Sequence, residues 1–479
     1  MIDATVAAST RTAVTRGISR LASFAGARLA ALGDWMQRHP KPIQTIQWCV
    51  VGAYAALVVA PAFLPIPADD AHWYNSLVVL AQWLFWGIWW PFVIASMLVF
   101  GRAWCGVFCP EGTLTEAASR IGRGRAVPRW MKWGGWPFVA FAVTTVYGQL
   151  VSVYQYATAT LAVLGGSTVA AIGVGLVYGR GKRVWCRHLC PVNGVFAALS
   201  RLSPLHFRVD ANAWAANAGR IRVHPVNCAP LVRIRRMTGP AECHMCGRCS
   251  GLRGAISLAA RPANDEVAAL APESARPWDA ALIVFGMIGL AVGAFEWSAT
   301  PAFVALRTAA VGVVADFGLA WLLADNAPWW LLTNYPAAHD VFTWLDGLLV
   351  VAWITCTALV VGGWTSLCLL VAGRVVPGRA SANAIALAYA LTPLAAVGLF
   401  VGLTTLTTTL AHAEGMRLHW LPAARATLLA LGAAWTLRLA YRQLRSWSTG
   451  TASALAFSAF ALAVAGILAA WCPFVFRAG

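Results

Sequence analysis

Several stretches of this chain run for about 20 residues without a charged side chain, long enough to cross a hydrocarbon core of roughly 30 Å. The expected spans, most of them uncharged throughout, lie at roughly 46–64, 77–100, 134–152, 159–178, 279–297, 341–372, 382–410, 422–437 and 452–472. They do not alternate apolar and polar residues, as the strands of a membrane β-barrel would. The expected fold is therefore an all-α polytopic membrane protein of about nine transmembrane helices, within a range of about eight to ten. Composition agrees: 59% of residues are apolar and 11% charged, against about 45–50% and 25% in soluble domains. A soluble globular chain and a disordered one are both excluded.

The net charge of +18 could suggest nucleic acid, but its distribution points elsewhere. Of 36 basic residues, 32 fall in 1–45, 101–132, 179–277, 374–380 and 438–445, all between apolar runs or at the N-terminus. The 65–75 connection carries Asp69 and Asp70 and no basic residue. That pattern follows the positive-inside rule. It predicts a bacterial inner (cytoplasmic) membrane protein with its N-terminus and long loops cytoplasmic, and implies no nucleic acid. The predicted divisions are a basic segment over 1–45, a four-helix membrane region over 46–178, a cytoplasmic loop region over 179–277, and a C-terminal membrane region of about five spans over 278–479. Residues 1–42 lack the apolar core of a cleavable signal peptide. Ile18, Leu21, Ala25, Leu29 and Leu32 recur at helical spacing, which suits either a helix on the membrane surface or a solvated arm. The stretch 302–323 is predicted to be re-entrant or to lie at the outer face, because a span there would place the basic 438–445 loop outside. Six prolines between 225 and 277 suggest an irregular loop region.

Eight of twelve cysteines cluster in the two long basic loops. An inner, reducing location favours metal or redox chemistry over disulfides. Cys49, Cys356, Cys368 and Cys472 are isolated in the spans and read as small buried apolar groups. The loop cysteines begin with a repeat: W-C-G-V-F-C-P-E-G from Trp104 to Gly112, and W-C-R-H-L-C-P-V-N-G from Trp185 to Gly194, offset by 81 residues. Arg102 matches Arg183, and Ser119-Arg120-Ile121 matches Ser200-Arg201-Leu202. Each copy follows a span, so two copies of one unit present C-x3-C-P pairs to one surface. Residues i and i+4 share a helix face, which lets Cys105 with Cys109, and Cys186 with Cys190, point the same way. Arg102, Arg183 and Arg187 favour thiolates nearby. These four thiols suit a second cluster or a redox pair. Unmetallated thiols and a zinc staple are the alternatives.

The other pattern is E-C-H-M-C-G-R-C-S-G, which supplies Cys243, Cys246 and Cys249 as C-x2-C-x2-C. That tight loop lets three thiolates converge on one iron–sulfur cubane. The next two ferredoxin-type positions hold Arg253 and Gly254 in place of Cys and Pro. The nearest spare thiol is Cys228, so Cys228, Cys243, Cys246 and Cys249 are assigned to one [4Fe–4S] cluster. Zinc is the main competitor, since four-cysteine sites suit it too. His188 and His244, inside the motifs, can tune a cluster by hydrogen bonding. His72, His339, His412 and His419 read as interfacial residues, and Asp346 is the carboxylate expected within a span. Haem and flavin lack support, and no nucleotide-binding or hydrolase motif appears.

Over about 77–262 the chain resembles the membrane polyferredoxins of the NapH, NosR and CcoG type, which carry repeated W-C-x3-C-P motifs after transmembrane helices and a ferredoxin-like cysteine loop. The resemblance implies a membrane electron carrier with [4Fe–4S] clusters, linking the quinone pool or another donor to a partner redox protein. It implies an electron-transfer component of an oxidoreductase system more than an enzyme in its own right. Members often carry two complete C-x2-C-x2-C-x3-C-P motifs, whereas this chain has one incomplete copy. Two readings of other classes stand beside this one. One is a metal-reducing or assembly factor for another membrane complex. The other is a transporter with a structural or regulatory cysteine site.

Overall fold

The computed structural model describes residues 25–68, 70–217 and 226–476. Among these, seven helices are long and apolar enough to cross a membrane: Pro40–Phe63, Leu77–Phe100, Ala157–Tyr178, Pro277–Glu296, Trp344–Val375, Ala380–Ala413 and Gly450–Val475. The other two expected spans are helical as well. Trp136–Leu150 has 15 residues, and at 1.5 Å per residue such a helix reaches only about 22 Å. Leu421–Trp447 is longer but carries Arg425, Arg438, Arg442 and Arg445. Large apolar side chains cover the outside of the bundle, including Val169, Val360, Leu455 and Leu462. An apolar exterior of this extent belongs against lipid. The chain is an all-α polytopic membrane protein.

The Ala380–Ala413 helix sits centrally, with Leu387, Leu391 and Leu394 fully buried. It joins the C-terminal helices to the N-terminal ones in one continuous core that also holds Met97, Leu199, Met287 and Trp471. Pro301–Asp316 is a helix outside the set of candidate spans, and its Arg307 donates to Asp346 in the first turn of Trp344–Val375. Asp346 also accepts from the backbone N–H and hydroxyl of Thr343, in a capping box. Its carboxylate therefore starts a helix and binds an arginine, and does not stand alone inside a span.

The region between residues 179 and 277 is more regular than its prolines suggest. Strand β1 (Leu205–Val209) pairs antiparallel with β2 (Ile256–Ala260), with Phe207 opposite Leu258. Both of those side chains are buried, in a small core with Met237, Met245 and Cys243. The segment carrying the C-x2-C-x2-C motif lies between the two strands in sequence. Ionic contacts brace this unit internally and fasten it to the bundle. Arg201 bonds Glu266 (2.8 Å) and Asp279 (3.2 Å), Arg261 bonds Glu266 (2.6 Å), and Arg442 bonds Asp265 (3.1 Å). Tyr389, on the central helix, donates its hydroxyl to Asp279.

The helix over 25–38 docks on this unit. Leu29 packs against its core, and Asp34 accepts a 2.7 Å hydrogen bond from the Ser250 hydroxyl. That differs from the expected membrane-surface helix or free arm. An apolar stripe has the same spacing whether its partner is lipid or protein, and here the partner is the cysteine loop. Ile18 and Leu21 lie outside the described residues.

Candidate iron–sulfur centre

All twelve cysteines are free thiols, and the eight in the loops form two groups. Cys105, Cys109, Cys186 and Cys190 line one cavity. Cys228, Cys243, Cys246 and Cys249 line a second.

In the first repeat, Trp104–Phe108 forms a wide π-helical turn that ends where Cys109 becomes extended (φ −76°, ψ 117°). Pro110 dictates that break, because a residue before proline is pushed out of the helical region. Cys109 then caps the helix Pro110–Arg120, its sulfur accepting from the Gly112 N–H at 3.3 Å. The thiols thus meet by way of a helix end, and not as an i, i+4 pair on one regular face. In the second repeat Cys186 lies in the short helix Val184–His188, and Cys190 follows its end, its N–H donating to Trp185 O.

The two repeats brace each other. Arg102 of the first copy donates to the Asn193 side chain (2.7 Å), which follows the second C-x3-C-P, and to Ala241 O (2.8 Å). Position 112 is the counterpart of 193 across the 81-residue offset, and a Cβ at Gly112 would lie 3.1 Å from Arg183 Nη1. Arg183 of the second copy also donates to Cys105 O (2.5 Å). Each copy's arginine therefore reaches the other copy's cysteine segment, which is why two C-x3-C-P pairs separated in sequence arrive at one cavity.

Arg183 is buried, and its charge is met by Glu116 at 2.7 Å. Glu116 also receives Arg248, likewise at 2.7 Å, from the loop between Cys246 and Cys249. Burial alone would raise the Glu116 carboxyl, but Arg183 and Arg248 outweigh it and hold it below the usual range. One buried carboxylate thus ties the two cysteine groups together. The backbones also touch. A Cβ on Gly106 would sit 2.0 Å from His244 O and 2.9 Å from Cys246 N, so no larger residue fits between the first C-x3-C and the ferredoxin-like loop. The Gly106 carbonyl accepts from Gln47 at 2.8 Å.

Burial and the neighbouring thiols push Cys109, Cys190 and Cys243 well above the ordinary thiol range. Cys186 and Cys249 are each pushed up to about 12, chiefly by burial. Buried thiolates this close together need positive charge among them, and a metal core supplies it. Close to the cysteine segments, two buried nitrogens that line the larger cavity have no hydrogen-bond partner, His244 Nδ1 and Arg102 Nε. Both suit the anionic sulfurs of a cluster. Among the described residues, no group of three or more His, Cys, Asp or Glu side chains is arranged to hold a single metal ion. Each cavity is lined by four cysteine sulfurs, the donor set that a [4Fe–4S] cluster takes. The donor sets fit such a cluster.

The larger cavity has a volume of about 220 Å³ and continues from the thiols in among the membrane helices. Tyr54, Phe85, Trp86, Trp90, Phe141 and Phe295 form aromatic walls. The indole nitrogen of Trp90 is buried without a partner. Neither this cavity nor the role of Glu116 is visible in the sequence, although Glu111 and Glu116 are the only acidic residues in the basic 101–132 loop. His72 pairs with Glu414 at 3.0 Å.

Two segments of the chain, 82–128 and 163–210, match the family model described as a 4Fe-4S binding domain. They begin 81 residues apart, the offset of the cysteine repeat. A protein of Escherichia coli (strain K12) named "Putative electron transport protein YccM" is 27% identical over 233 residues, covering 42% of this chain and 62% of that protein. This chain therefore spans less than two thirds of that relative's length. No solved structure matches. With two copies of the binding domain matched in a polytopic helical chain, the cofactor class of this membrane protein is the [4Fe–4S] cluster.

Proposed function

We propose that this chain is a membrane electron carrier, taking electrons from a quinol and passing them to a partner redox protein at the cytoplasmic face of a bacterial inner membrane. Cys105, Cys109, Cys186 and Cys190 hold one [4Fe–4S] cluster. Cys228, Cys243, Cys246 and Cys249 hold the other. A bound cluster supplies reversible one-electron storage at each site. The relative's name, an electron transport protein, favours this class of function. The basic loops favour the cytoplasmic orientation.

The observation that carries the donor assignment is the aromatic cavity that runs from the C-x3-C-P thiols in among the membrane helices. Its walls accept a planar apolar ring and exclude water. The unpartnered Trp90 N–H offers a hydrogen bond to a ring oxygen, and a buried donor selects a ligand that satisfies it. Arg102 and Arg183 hold the two cysteine segments in place.

The test uses anaerobically purified, iron-loaded protein in lipid nanodiscs. Duroquinol should reduce the clusters, as read by electron paramagnetic resonance, and Trp90→Phe should slow that reduction with iron content unchanged. Clusters that dithionite reduces and duroquinol does not would refute the quinol assignment and favour a cytosolic donor.

A further inference from the structure

His244 sits where the two cysteine groups meet. It lines the cavity shared by Cys105, Cys109, Cys186 and Cys190, and also the cavity shared by Cys228, Cys243, Cys246 and Cys249. The residue is 3% exposed, and its ring Nδ1 is buried with no hydrogen-bond partner. Its carbonyl oxygen abuts Gly106, so its backbone is fixed against the first C-x3-C. The cations acting on the ring are Arg102, Arg183 and Arg187, all from the C-x3-C-P segments.

A buried polar group left unpaired costs about 1–3 kcal/mol, so something not made of backbone completes this ring. Three carbonyls at the junction are already taken. Ala241 O accepts from Arg102, Cys105 O from Arg183 and Gly106 O from Gln47. Cysteine sulfurs line both cavities that the His244 ring borders.

Building on the two-cluster reading above, we propose that His244 is a positioning residue shared by both sites. Its ring N–H hydrogen-bonds a sulfur at the Cys105, Cys109, Cys186 and Cys190 cluster, and its backbone holds the second cysteine loop against that site. A donor aimed at cluster sulfur stabilises the more negative, reduced state and raises the reduction potential. The same residue then sets the first cluster's potential through its ring and, through its backbone, fixes that cluster's distance from the second.

The experiment is a dithionite titration of the full-length, iron-loaded protein, followed by electron paramagnetic resonance. His244→Leu should make one cluster at least tenfold harder to reduce, a shift of about 59 mV for a one-electron couple, at unchanged iron content. His244→Gln retains an N–H and should stay near wild type. Unchanged potentials in both variants, or equal shifts in both, would overturn the proposal. Should the leucine variant not fold, wild-type protein labelled with 15N-histidine carries the test. Pulsed resonance should then show a histidine nitrogen coupled to a reduced cluster, with the coupling lost in His244→Gln. No such coupling would overturn the proposal. Protein that binds no iron would defeat the two-cluster reading itself, whereas iron-loaded protein with a silent His244 would defeat this proposal alone.

Discussion

Glu116 is the side chain on which both cysteine groups lean, and its replacement gives the sharpest structural test. Its side chain is 8% exposed and binds Arg183, 2% exposed, and Arg248, 30% exposed, both at 2.7 Å. Removing one partner of a fully buried pair leaves an uncompensated charge and costs about 3–5 kcal/mol. A pair open to solvent on one side contributes only about 0–1 kcal/mol. Glu116→Ala should therefore destabilise the protein by about 3–5 kcal/mol. Arg183→Ala should cost a similar amount, because it also removes the donor to Cys105 O. Arg248→Ala should cost about 1 kcal/mol or less. Unfolding by sodium dodecyl sulfate in mixed micelles, followed by tryptophan fluorescence, measures the three. A double-mutant cycle should show strong coupling of Glu116 to Arg183 and weak coupling to Arg248. If Glu116→Ala fell within about 1 kcal/mol of wild type, where solvated pairs lie, or Arg248→Ala cost as much as Arg183→Ala, the buried bridge would not hold the sites together.

Other substitutions separate the two sites. Cys105→Ser and Cys186→Ser should each remove the same cluster signal, because the repeats share one cavity; independent losses from the two variants would refute a shared site. Cys246→Ser should lower iron and sulfide by about four atoms each and spare the other cluster, and an unchanged iron content would show that the ligand assignment is wrong. Gly106→Ala places a Cβ 2.0 Å from His244 O, so backbone must move. Overpacking of this kind costs about 1–3 kcal/mol, and the variant should lose iron more readily on dilution; wild-type stability and iron retention would show that the two loops are not in close contact.

Much of this architecture is legible in the chain itself. Uncharged runs can settle only in lipid or a large core, so the membrane helices are readable. The cysteine motifs are readable because a cubane needs fixed thiol spacing, and the 81-residue offset because a duplicated unit keeps its register. What escapes depends on contacts between distant segments. The antiparallel pair Leu205–Val209 and Ile256–Ala260 is hidden because the strands lie far apart in sequence, His206 is buried in one, and the other is alanine-rich. Helix 25–38 shows its stripe but not its partner. Glu116 looks like any helical glutamate until Arg183 and Arg248 arrive from 67 and 132 residues away. The aromatic cavity draws its walls from five of the candidate spans, and no local pattern encodes that.

The central claim is that eight thiols at one end of this helical bundle hold two [4Fe–4S] clusters. Metal and acid-labile sulfide analysis of anaerobically purified protein tests it most directly. Two loaded sites require about eight iron and eight sulfide per chain, with a paramagnetic signal that appears on reduction. Stoichiometric zinc without sulfide would contradict the claim.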